Sequence, residues 1–173
     1  EYSGIWDSTT PQGLRYHASA NYAFPGDFTI EWWQKTSSTQ VDNKNGIYGT
    51  TNQAAWTSDA WHVGYYNSDI VYGIGAQTMS NTFTFSSSSH DGNWHHLAFV
   101  RDSNTLRAYR NGVASSYTTT NSNNHGNSTF KVVVGGQEPN GNESFNGLLD
   151  NVRVSNSCRY PSGTTFAVPT ADF

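Results

Sequence analysis

The sequence predicts an all-β protein built as a two-sheet antiparallel β-sandwich, and three observations carry that prediction. Strand formers dominate: ten tyrosines, nine phenylalanines and six tryptophans stand among 173 residues, and aromatic and β-branched side chains favour the pleated sheet. Good helix formers are few, with Leu14, Leu97, Leu106, Leu148 and Leu149 the only leucines. Eleven short strand-like runs are separated by turn residues, the pattern of a sandwich or barrel.

In chain order, residues 1–13 read as a linker or edge segment, and "LRYH" (14–17) is the first strand candidate. "FTIEWWQKT" (28–36) alternates, with Phe28, Ile30 and Trp32 on one face and Thr29, Glu31 and Trp33 on the other. "GIYGTT", "WHVGYY", "IVYGIG" and "TFTF" follow, then "WHHLAFVRD" (94–102) and "TLRAYRN" (105–111). Asn111-Gly112 marks a hairpin into "VASSYT", because both central residues of a type I′ turn need positive φ. "FKVVVGG" (130–136) and "GLLDNVRVS" (147–155) complete the set. The polar stretches 37–46, 85–93 and 118–129 read as loops between strands.

Composition bounds the function. The length suits one domain spanning 1–173. Charged residues make up 13%, against roughly 25% in typical globular chains. With a net charge of −4 and no basic run, no footprint for nucleic acid or an anionic membrane is present. No apolar stretch is long enough to insert across a bilayer. Cys158 has no second cysteine to pair with, and beside Arg159 it reads as a buried or idle thiol. A start at Glu1, without methionine or a signal-like segment, suits a fragment or mature product, part of a larger protein or a homo-oligomer.

"DGNWHHLAFVRDSNTLRAYRNGV" (91–113) resembles the central hairpin of laminin-G-like and pentraxin-like domains, members of the concanavalin A-like jelly-roll superfamily. "FPGDFTIEWWQK" (24–35) is similar to their early core strand, and "GGQEPNGNESFNGLLDNVRV" (135–154) to the pentraxin loop and the strand after it. "SCRYPSGTTFAVPTADF" (157–173) resembles the tail of laminin-G-like domains from bacteriophage virion proteins. The resemblance implies a jelly roll, a virion or extracellular location, and a Ca²⁺ site. Carried over by position, its ligands are Glu138, the Pro139 carbonyl, Asn140 and Glu143, with Asp59 a weaker match from another loop. Asn140 stands where pentraxins carry aspartate, and Glu31 and Ala98 replace the pentraxin disulfide.

The residues themselves leave two readings of 138–143 open. Calcium takes six to eight oxygens from carboxylates, amides and carbonyls, and two of the four glutamates lie in this loop. An ordinary hairpin tip, its glutamates pointing apart, is the other. Lys44 excludes "DNKNG" (42–46) as a calcium loop. Strand alternation puts Leu148, Asp150, Val152 and Val154 on one face, so a core carboxylate at Asp150 needs a backbone N–H pair, an arginine or a cation as partner. His95 and His96 are adjacent on a strand and point to opposite faces, so they cannot share an ion.

Hydrolytic sandwiches flank the glycosidic bond with paired carboxylates, whereas Glu31 is the lone acid of its strand. Trp56, Trp61, Tyr65 and Tyr66 are candidates for an aromatic platform that stacks on sugars, with Asn, Asp and Ser bonding hydroxyls. The sequence therefore points to a non-catalytic module that recognises surface glycans, possible calcium dependence included. One alternative is a structural decoration unit binding virion subunits, with the polar, proline-bearing tail lying along its own surface or a partner's; another, a glycoside hydrolase, requires acids from different strands to converge in a groove.

Overall fold

The computed structural model describes residues 4–6, 14–17, 19–36, 46–51, 61–66, 69–74, 81–87, 89–123, 131–136, 145–161 and 163–170. The strands in chain order are β1 (Gly4–Trp6), β2 (Leu14–Tyr16), β3 (Phe28–Lys35), β4 (Gly46–Thr51), β5 (Trp61–Tyr66), β6 (Asp69–Ile74) and β7 (Asn81–Phe83). They continue with β8 (Trp94–Asp102), β9 (Thr105–Arg110), β10 (Val113–Ala114), β11 (Thr119–Thr120), β12 (Lys131–Val134) and β13 (Gly147–Ser155). A single 3-10 turn spans Ala20–Tyr22. No described helix is long and apolar enough to cross a membrane.

All eleven expected strands occur, and they assort into two antiparallel sheets. The first runs β1-β13-β3-β8-β9-β10, with β11 also pairing β9; the second runs β2-β12-β4-β5-β6-β7. Residues 4–6, read as linker or edge, form the edge strand of the first sheet. Phe28, Ile30 and Trp32 face inward and are fully buried with Leu97 and Phe99 of the neighbouring strand. The second sheet meets them with Trp61, Val63, Tyr65, Ile70 and Tyr72.

Hairpin chemistry explains the tight connections. Asn111 and Gly112 both have positive φ, 49° and 76°, as expected for this turn. Ser103 and Asn104 do the same between β8 and β9 with φ of 48° and 70°, a turn that lacks the glycine by which such hairpins are recognised.

The outer face of the first sheet is also covered. Past β13, residues 156–161 and 163–170 cross it, and Cys158, Tyr160 and Phe166 pack on Ala98, Val100 and Tyr109. Tyr160 and Phe166 stack with ring centroids 3.6 Å apart and planes 7° from parallel. The Phe166 N–H donates to the Gly112 carbonyl at 2.8 Å, and the Ala114 N–H to the Thr164 carbonyl at 2.8 Å. Of the two surfaces open to the tail, its own receives this segment.

Gly112 shows how closely the tail sits. A Cβ built there would lie 2.2 Å from the Phe166 carbonyl oxygen, at a φ that side chains resist. Gly112→Ala is expected to lower stability by about 1–3 kcal/mol, read as a fall in thermal midpoint. An unchanged midpoint would refute the close seating of the tail on this turn.

One face assignment needs correction. Leu149 is buried in the core, not Leu148 and Asp150. A bulge between Asp150 and Arg153 includes Asn151 at φ 47° and reverses the phase of the strand. Val152 and Val154 then pack inward, while Arg153 pairs opposite Glu31 on the outer face. Asp150 is half-buried rather than in the core, and its Oδ1 accepts a single backbone N–H, that of the adjacent Asn151, at 2.8 Å.

Candidate functional site

The most concentrated polar chemistry among the described residues is centred on Glu31. It lies opposite Ala98 in the β3–β8 register, beneath the tail, and is completely buried. Its Oε1 accepts from Arg153 Nε and Nη2, each at 2.8 Å, and faces Arg159 Nε at 3.3 Å. Its Oε2 accepts the Tyr160 hydroxyl at 2.6 Å and lies 3.2 Å from His96 Nε2. Burial works to raise the Glu31 pKa and is the largest single influence; hydrogen bonds from His96, Tyr160 and Arg153, with the charge of Arg153, outweigh it and hold the carboxyl below its usual value. Desolvation, then the bond to Glu31, pushes the Tyr160 phenol up to about 12. This carboxylate is thereby committed to clamping the tail. Sequence reading assigned Glu31 to the correct face but not to this role, because its partners come from residues 96, 153, 159 and 160.

The structure separates the aromatic candidates. Trp61 and Tyr65 are fully buried, so both are corrected from platform to core: alternation on β5 turns positions 61, 63 and 65 inward. Trp61 packs 5.4 Å from Phe28 and 6.0 Å from Phe24, centroid to centroid. Tyr66 ends β5, its side chain outside the described set; Trp56 and Asp59 lie outside the described residues altogether.

Glu138, Pro139, Asn140 and Glu143 also lie outside them, but the base of their loop is described. Chain leaves after Gly136 and returns at Phe145, whose N–H donates to the Gly135 carbonyl at 3.2 Å; the Gly135 N–H donates in turn to Ile47 at 3.0 Å. The Phe145 ring is buried in the core. The residues that flank all four candidates in sequence are therefore joined by a backbone hydrogen bond. Among the described residues, no group of three or more His, Cys, Asp or Glu side chains could hold a metal ion. His95 and His96 diverge as alternation requires: His96 is buried, while His95 bonds Asp91 at 3.0 Å and Asn111 at 2.9 Å.

Two clefts present accessible chemistry that the sequence reading missed. One, of about 390 Å³, opens between the sheets where β2 and β12 approach β13. Leu14 and Tyr16 line it at 53% and 45% exposure, with Tyr22, and Asp150 and Asn151 supply polar groups. The second, of about 370 Å³, lies between residues 84–87 and the β9–β10 hairpin, with Arg110 in its lining. Arg110 had a legible signal, since Leu106 and Ala108 precede it on the inward face of β9. A charged residue in that register needs compensation.

Comparison with known proteins follows the architecture. No curated protein matches the chain. Among solved structures, a heptameric SAP-like pentraxin from Limulus polyphemus is similar at TM-score 0.62 and 17% identity, over 84% of this chain and 70% of that one. The CBM40 of a Ruminococcus gnavus sialidase, bound to α2,3-sialyllactose, is similar at TM-score 0.56 and 13% identity, over 89% and 92%. Domains LG4-5 of the mouse laminin α1 chain are similar at TM-score 0.54 and 19% identity, over 92% of this chain but 47% of that one. At these identities the likeness is one of fold. The Laminin_G_3 model, described as concanavalin A-like lectin/glucanases superfamily, matches residues 9–162. With two antiparallel sheets and a family match across most of its length, the chain belongs to the Laminin_G_3 family of that superfamily.

Proposed function

We propose that this domain is a non-catalytic recognition module that binds glycans on an exposed surface, in an extracellular setting or as part of a virion fibre. The observation that carries the reading is the cleft beside β2. Exposed Tyr16 and Leu14 form an apolar wall, and Asp150 and Asn151 stand within the same cleft. A sugar presents C–H faces and hydroxyls together, and an apolar surface with few placed polar groups suits both. The sialyllactose-bound CBM40 of similar fold supports the assignment to glycans. The engagement of Glu31 by two arginines, a tyrosine and a histidine supports a non-catalytic role, since general acid work needs a carboxyl free to exchange its proton.

Glu138, the Pro139 carbonyl, Asn140 and Glu143 would hold Ca²⁺ in this reading. Their oxygens suit its hard-ligand chemistry, and the joined loop ends reduce the entropy cost of gathering them. Calcium there would supply a hard cation to which sugar hydroxyl oxygens can bind.

A glycan array with and without calcium tests the module, alongside Tyr16→Ala. The variant is expected to bind its glycan roughly tenfold more weakly, a change of about 1.4 kcal/mol, while its melting temperature stays near wild type. Absence of array signal in both conditions would remove the reading. Calcium dependence stands or falls separately, on heat released when calcium is titrated into the protein.

A further inference from the structure

The second cleft holds a buried cation that has no ion-pair partner among the described residues. Arg110 is 8% exposed, yet its polar contacts among the described residues are few. Nη2 donates to the Ser87 hydroxyl at 2.7 Å, and the guanidinium lies 4.8 Å from the centre of the Phe85 ring. Nη1 is buried without a hydrogen-bond partner. Among the described residues, no carboxylate is within ion-pair distance of it. Asp69 and Asp91 contribute only longer-range fields, because Asp69 accepts the Phe85 N–H at 3.1 Å and Asp91 is taken by His95 and Asn93. Burial pushes the Arg110 pKa down, but an arginine remains charged in a protein.

An uncompensated buried cation is costly, and here it borders an open cleft. Ser86, Ser87 and Ser116 are exposed in the lining, with half-buried Phe85 among them. Hydroxyl groups around a guanidinium match a ligand that carries both hydroxyls and an oxyanion. The volume of about 370 Å³ falls at the lower end of the roughly 300–1,000 Å³ typical of small-molecule sites, which suits a short saccharide.

We propose that this cleft binds the oxyanion substituent of an acidic sugar, with Arg110 as its anchor. It deepens the glycan reading and rests on it for the sugar, while the charge preference follows from Arg110 alone. Ser87 is exposed, so its hydroxyl can turn away as a carboxylate or sulfate oxygen takes Nη2 from the cleft side. A charge-assisted bond from a guanidinium N–H to an oxyanion is roughly twice as strong as one to a neutral hydroxyl. No bond is made or broken in this step.

The test titrates glucuronate, glucose 6-sulfate and glucose into the wild-type domain, following the Arg110 side-chain resonance by NMR. Both or either of the acidic sugars should shift it, and the one that does identifies the group as carboxylate or sulfate; glucose should leave it unmoved. Ser87→Asp places a carboxylate within the protein's own reach of Arg110. It is expected to raise the melting temperature and weaken acidic-sugar binding at least tenfold, with the fold intact. Equal response to glucose, no Arg110 shift with either acid, or undiminished binding by Ser87→Asp would each overturn the proposal. If neutral array ligands still depend on Tyr16 in that event, the glycan reading survives; loss of all sugar binding ends both.

Discussion

Replacing Glu31 by glutamine is expected to destabilise the domain strongly for so conservative a change, because the carboxylate is fully buried between the first sheet and the tail. The substitution preserves size and an acceptor oxygen but removes the charge that faces Arg153 and Arg159. Breaking a buried pair by neutralising one member costs about 3–5 kcal/mol. Arg153 and Arg159 keep 23% and 41% side-chain exposure, which lets water compensate in part, so the lower end, about 3 kcal/mol, is expected. For a chain of this length that is a fall of roughly 6–12 °C in thermal midpoint.

The same residue gives a pH dependence of defined sign. The folded-state pKa of Glu31 lies below its reference value of 4.5. A carboxyl depressed by folding contributes stability fully above its unfolded pKa and loses it as pH falls through the folded value. The gap between wild type and Glu31→Gln should therefore be widest above about pH 5 and should close below pH 4.5. Thermal midpoints measured from pH 3 to pH 7 check this. A gap of constant width across the range would sink the clamp account, since it would trace the loss to shape and not to charge.

Trp61→Ala is expected to have the other large effect. The indole is fully buried against Phe24 and Phe28 in the middle of the core. Removing such a side chain costs about 3–5 kcal/mol through lost transfer energy and the cavity left behind. The decisive part is what should not change. Held well below its lowered melting temperature, the variant is expected to keep wild-type glycan affinity, because Trp61 has no face to offer a sugar. Affinity lost in a folded Trp61→Ala variant would restore this residue to the binding surface.

Both predictions depend on relations that strand alternation predicts unevenly. Alternation placed Phe28, Ile30 and Trp32 together and separated His95 from His96, while the positive-φ preference of Asn-Gly identified the Asn111-Gly112 turn; each rests on local backbone geometry. The same rule failed on β13, because a bulge at Asn151 inserts a residue and moves the valines to the other phase. It was not carried far enough on β5, where the spacing of Trp61, Val63 and Tyr65 already set both aromatics inward. Arg110 stood in an apolar register too, a signal present in "TLRAYR" and read there only as strand.

Sequence alone determined the fold class, eleven of the strands and the Asn111-Gly112 turn, because these depend on side-chain period and on φ preferences within a few residues. Only the tertiary structure decided what the polar groups do. Glu31 meets Arg153, Arg159 and Tyr160 across more than 120 positions of chain, and Arg110 borders its cleft through Ser87, 23 positions away. Burial, which turns Glu31 from a solvated side chain into a clamp and encloses the Arg110 guanidinium, arises when the two sheets close and the tail folds over the first of them.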